Sequence, residues 1–218
     1  MVCRVADLCF GQLCRGGEVV ALLADELDKL VPLQDSFGSL ARLHQFMSLQ
    51  KLGRYAVLAK AMDRQLANPL NFGAHYTEDF VDLEGWALMG KKDWRSLGAF
   101  IKKFEDANPL KLPQAPFKRL RSSRLAGLCY LRAVWHEEAQ KQPELALMDF
   151  HRALTLDLGS DLFLVRLAAV SALRLTDTQI TATPKDEKLT KQAKSLALVC
   201  RDLGGKDALP KDFEKYLK

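Results

Sequence analysis

Four histidines, His44, His75, His136 and His151, and a short run of carboxylates are the first residues to weigh for chemistry. His136-Glu137-Glu138 opens like a helical zinc motif, in which two histidines four residues apart share one helix face and a glutamate acts as base. Position 140 is Gln140, so the second ligand is missing, and no metal or cofactor is expected. The other histidines fall in separate helical or turn segments, and no spacing brings two of them together. Asp79, Asp82 and Glu84 cluster near one helix start, where the helix macrodipole favours carboxylates without any catalytic role. No glycine-rich phosphate loop and no nucleophile elbow occurs, and the expectation is a non-enzyme.

The more distinctive chemistry is cationic. From Ala107 to His136 there is no acidic residue in 30 positions, while Lys111, Lys118, Arg119, Arg121, Arg124 and Arg132 supply six positive charges. The chain's formal charge is +5. Residues 1–110 hold 13 Lys and Arg against 14 Asp and Glu, so the positive excess belongs to the second half. Guanidinium groups in such a stretch suit bidentate contact with carboxylates of an acidic partner segment. The alternative is contact with an RNA or DNA backbone, although only Phe117 and Tyr130 are near to stack on bases. A solvated basic helix face, and a basophilic-kinase or nuclear-localisation site over Lys118 to Ser123, are the remaining readings.

Cys3, Cys9, Cys14, Cys129 and Cys200 form no CxxC pair and are odd in number, so they read as small buried hydrophobes of a reducing compartment. Asp7 interrupts the apolar N-terminal stretch, against a secretory signal, and Arg166 breaks the longest apolar run, against a membrane span. The expected location is the cytoplasm, with the nucleus as the alternative.

The elements that must position these residues are helices. Leucine and alanine dominate, and a Pro-Leu pair recurs at Pro32-Leu33, Pro69-Leu70 and Pro109-Leu110, at separations of 37 and 40 residues. Each pair closes an apolar run of helical period, since proline cannot continue a helix interior. Gly17, Gly53 and Gly90 precede the runs and would permit tight reversals. Helices are expected over about 2–14, 18–30, 37–50, 54–66, 77–89, 93–106, 117–140, 143–156, 161–175 and 186–202, with a short one over 210–217. The polar segment 176–185, rich in threonine and containing Pro184, reads as a surface loop. The expected domains are helical hairpins over 1–175, that loop, and capping or docking helices over 186–218.

Residues 78–111 resemble a tetratricopeptide repeat. Gly85 stands at the first-helix glycine, Asp93-Trp94 at the start of the second helix, Leu97, Ile101 and Phe104 at its core positions, and Pro109 at the terminal proline. Ala146, Phe150 and Ala153 resemble a second copy of the second helix. Gly127 and Tyr130 stand before it, with seven more residues from Gly127 to Ala146 than the family has, which implies a longer first helix or an inserted loop.

The resemblance implies an all-α, right-handed superhelical stack of antiparallel helical hairpins with a concave groove lined by first helices. In that register Arg121 and Arg124 face the groove, as do Asp79, Asp82, Trp86 and Met89 of the preceding repeat. The resulting expectation is a non-catalytic protein–protein interaction module, an adaptor or a subunit of a larger complex. Lys118, Arg119, Arg121 and Arg124 would select charge, with Trp86 and Met89 as apolar anchors and Asp79 and Asp82 alongside.

Overall fold

The computed structural model describes residues 36–66, 74–107, 122–156, 162–184, 186–204 and 209–217. The described residues are helical throughout: α1 (Ser36–Lys51), α2 (Tyr55–Leu66), α3 (Ala74–Lys91), α4 (Trp94–Ala107), α5 (Ser122–Glu138), α6 (Pro143–Leu156), α7 (Leu162–Ala182) and α8 (Glu187–Gly204), then a 3-10 helix, Lys211–Leu217. The helices expected over 2–14 and 18–30, and the stops at Pro32, Pro69 and Pro109, lie outside the described residues. Two compact units divide the chain, Met1–Phe100 and Ile101–Lys218, with the division falling within α4.

Helix ends are set by backbone chemistry. After α1 the Gly53 N–H bonds the Gln50 carbonyl and the Arg54 N–H bonds the Leu49 carbonyl, both at 2.9 Å. This closure needs a left-handed residue, and Gly53 supplies it at φ 68°. The α3–α4 turn repeats the pattern, with Lys92 bonded to Met89 at 3.0 Å and Asp93 to Leu88 at 3.1 Å. There the left-handed residue is Lys92, at φ 57°.

Gly90, expected as the turn residue, is therefore corrected to a position inside α3. Its lack of a side chain serves packing. A Cβ there would lie 2.3 Å from the Tyr55 carbonyl oxygen, so glycine lets α3 touch the backbone at the start of α2. Gly127 behaves otherwise, because a Cβ there would meet nothing within 4 Å.

Caps start the helices. The Asp93 carboxylate accepts the Ser96 N–H at 3.1 Å, capping α4 and holding its own carboxyl below the usual range. The Asp186 carboxylate accepts the Lys188 and Leu189 N–H groups at the start of α8, at 2.9 and 3.2 Å. Pro143 takes the first position of α6, where the missing N–H costs nothing.

In the first unit α1, α2 and α3 pack together around Leu43, Phe46, Leu58 and Leu83. The second unit is a chain of neighbours: α5 packs on α6, α6 on α7 and α7 on α8. Short links between packed partners make α5–α6 and α7–α8 helical hairpins. Val165, Ala168, Ala169, Ala172 and Leu173 of α7 are fully buried, and the small alanines let its neighbours approach closely.

The loop expected over 176–185 is corrected. α7 continues to Ala182, with Leu175 and Thr176 packed in the core, and the threonine hydroxyls bond back one turn: Thr176 to the Ala172 carbonyl at 2.8 Å, Thr181 to Asp177 and Thr183 to Gln179 at 2.9 Å. Thr176 is fully buried, its hydroxyl satisfied within its own helix.

Candidate functional site

The densest set of charged side chains among the described residues lies between α5 and α6, with one arm from the end of α4. Arg132 stands on α5, and its Nε and Nη2 donate to the two carboxylate oxygens of Asp149 on α6, at 2.7 and 2.6 Å. Its Nη1 donates to Glu105 Oε1. Asp149 Oδ1 also accepts from Arg152 Nη1 at 2.9 Å, one helical turn further along α6. His136, one turn after Arg132, places Nε2 at 3.6 Å from Asp149 Oδ2, while its buried Nδ1 has no hydrogen-bond partner. Two cations and two anions balance one another, in a fork that only guanidinium geometry allows.

Burial grades the members. The Asp149 side chain is 3% exposed and Arg132 12%, against 35% for Glu105 and 36% for Arg152. Asp149 is placed so deeply because it shares the α6 face of Ala146, Phe150 and Ala153, all fully buried. The hydrogen bonds Arg132 donates to Asp149 and Glu105, with the charge of Asp149, together outweigh its burial: desolvation is the largest single influence on its pKa and opposes the charge, yet the net shift is upward.

Beside this cluster Cys129 is held in an apolar setting, and burial pushes its thiol up to about 11. Cys200 in α8 is raised to about 11 for the same reason. Both are free thiols, neutral at physiological pH and unsuited to act as thiolate nucleophiles. Tyr130 is tilted against Phe150 with ring centroids 5.4 Å apart. Its hydroxyl hydrogen-bonds Ser171, and burial raises its pKa to about 12. The arrangement is suited to fixing helices, with its donors and acceptors aimed at one another.

The sequence-derived residues are distributed differently. Lys118, Arg119 and Arg121 lie outside the described residues, and Lys111 does too. Arg124 and Asp79 stand on α5 and α3, with their side chains outside the described part. Asp82 is half-buried on α3. Trp86 is 3% exposed and stacks on Tyr55 at 5.4 Å, and Met89 is 8% exposed. Both are in the core of the first unit, so their apolar surface is used within the chain. Arg132, counted with the basic stretch, is neutralised by Asp149 and Glu105 and subtracts itself from the free charge of that segment.

Asp149 and Glu105 are not evident from sequence as partners of Arg132, since they stand 17 and 27 residues away on other helices. One signal was present: an aspartate on the helix face that Ala146, Phe150 and Ala153 mark as buried requires a cation opposite it. Among the described residues no group of three or more histidine, cysteine or acidic side chains is placed to hold a metal ion, and no helix is long and apolar enough to cross a membrane. Comparison with known proteins finds no matching family, no similar curated protein and no similar solved structure.

Proposed function

We propose that this chain is a non-catalytic interaction module, an adaptor or a subunit of a larger complex, built as a tetratricopeptide-like right-handed stack of hairpins. The observation that carries the reading is the neighbour-to-neighbour packing of α5, α6, α7 and α8, in which each middle helix touches the one before and the one after. Arrays held by nearest-neighbour contacts leave long side surfaces that bind segments of other proteins. The working place proposed is the cytoplasm.

Charge selection is assigned to Lys118, Arg119, Arg121 and Arg124, in the stretch from Ala107 to His136 that has no carboxylate of its own. The partner segment is acidic by this logic. Arg132 is excluded, being paired within the second unit, and Trp86 and Met89 are excluded as anchors because they are buried in the first.

The test compares two fluorescent probes, an acidic decapeptide with interspersed leucines and a single-stranded RNA of equal length, titrated against the full chain at rising salt. Saturable peptide binding with a shallow salt slope supports the proposal. A preference for RNA that weakens steeply with salt marks phosphate-backbone contact and overturns it.

A further inference from the structure

The last described segment, Leu209–Leu217, lies back on the chain that precedes it. Its 3-10 helix packs against α8, yet none of its residues is buried, and only Leu209 before it reaches the core, at 7% exposed. One carboxylate ties its far end. Asp177 of α7 accepts the Tyr216 hydroxyl at 2.5 Å on Oδ1, and the Lys215 ammonium stands 2.6 Å from the same oxygen. The ammonium also lies 5.0 Å from the centre of the Tyr216 ring, so a cation and a phenol converge on a single acceptor.

We propose that residues 209–217 are a releasable strap, closed over α8 and the Asp177 end of α7, and that its seat accepts a partner segment carrying a lysine beside an aromatic residue. A segment whose Phe213, Tyr216 and Leu217 are only half-buried gains modestly from apolar contact, so its closed state depends on those three, on Leu209 and on the Asp177 tie. Removing either component of that tie opens the segment without disturbing the α7–α8 core, where Ala172, Leu173, Ala193 and Ala197 are fully buried. The occupant's chemistry is read from the strap itself, which already places ammonium and phenol on the carboxylate. An intramolecular occupant acts at a high effective concentration, so an outside segment of the same kind competes poorly until the strap is loosened. The inference is independent of the basic stretch and of the partner proposed for it.

The directions of titration agree with this geometry. The Lys215 and Tyr216 contacts hold the Asp177 carboxyl below its usual range, and Asp177 holds the Lys215 ammonium above its own.

Two measurements on the full chain test the strap. In hydrogen exchange, Asp177→Asn should speed exchange of the 211–217 amides by about tenfold while α7 and α8 keep their protection. Unchanged exchange in the strap, or loss of α7–α8 protection along with it, overturns the proposal. In the second, a labelled peptide of residues 209–218 is titrated against the wild-type chain, the Lys215→Ala/Tyr216→Ala variant with its seat intact, and that variant with Asp177→Asn added. Tighter binding to the double variant than to wild type, lost again in the triple, is the expected result. Equal binding to wild type and double variant, or binding indifferent to Asp177→Asn, refutes the seat.

Discussion

Removing Asp149 should cost the second unit a substantial part of its stability. Asp149→Ala deletes the acceptor of three guanidinium hydrogen bonds, at 2.6, 2.7 and 2.9 Å, from a site where the carboxylate is 3% exposed. Arg132 then stays largely buried with Glu105 as its remaining partner. Breaking a buried pair from one side costs about 3–5 kcal/mol, and the surviving Glu105 contact places this case near the lower end. Set against a domain stability of about 5–15 kcal/mol, such a loss is visible in a simple urea melt. Circular dichroism gives the midpoint, and amide exchange on α5 and α6 locates the loss. Two companions separate the terms. Glu105→Gln removes a partner that is 35% exposed and should cost under about 1 kcal/mol. Arg132→Met with Asp149→Leu removes both buried charges and should recover most of what Asp149→Ala loses. If Asp149→Ala stays within about 1 kcal/mol of wild type, the cluster does not hold α5 to α6 as argued.

Two glycines should respond in opposite ways. Gly90→Ala puts a Cβ 2.3 Å from the Tyr55 carbonyl oxygen, which belongs to backbone and cannot swing aside, so a destabilisation of about 1–3 kcal/mol is expected in thermal melts. Gly127→Ala meets nothing within 4 Å in the middle of α5 and should be stabilising by about 0.5–1 kcal/mol. A third expectation concerns pH. His151 Nε2 accepts from the Gln192 amide at 2.6 Å, and burial holds its pKa below the ordinary 6.5. Above 6.5 both folded and unfolded rings are neutral. As pH falls below 6.5 the unfolded ring takes up a proton that the folded ring resists, so stability declines until the folded ring titrates as well. His151→Gln should flatten that decline between pH 6.5 and 5 in urea melts, and an unchanged slope would assign it elsewhere.

Local signals in the chain carried much of the helix pattern. Apolar period and turn glycine place α1 and α2 within a residue or two of 37–50 and 54–66, because Gly53 sits in the left-handed conformation that such a reversal needs. Where the reading failed, a competing interaction was invisible to composition. Thr176 to Thr183 look like a loop until their hydroxyls are seen bonding carbonyls one turn back. Lys92 adopts the left-handed turn conformation expected of Gly90, freeing that glycine for a backbone contact on α2.

The candidate site was less legible than the fold. An acid-free run suggests free cations, but Arg132 meets its anions only after three helices assemble. Trp86 was drawn to a groove by repeat register, and it lies instead in the core against Tyr55. Register places a residue on a helix face, while burial depends on which neighbour that face meets.

The proposed role rests on Arg121 and Arg124 selecting an acidic partner, and one comparison tests it most directly. The wild-type chain and Arg121→Glu/Arg124→Glu are immobilised at equal density, with equal helicity verified by circular dichroism, and captured proteins are quantified by mass spectrometry. The expected result is a defined set of proteins with acidic segments, retained by wild type and lost at least tenfold on charge reversal. An identical captured set from both chains would contradict it.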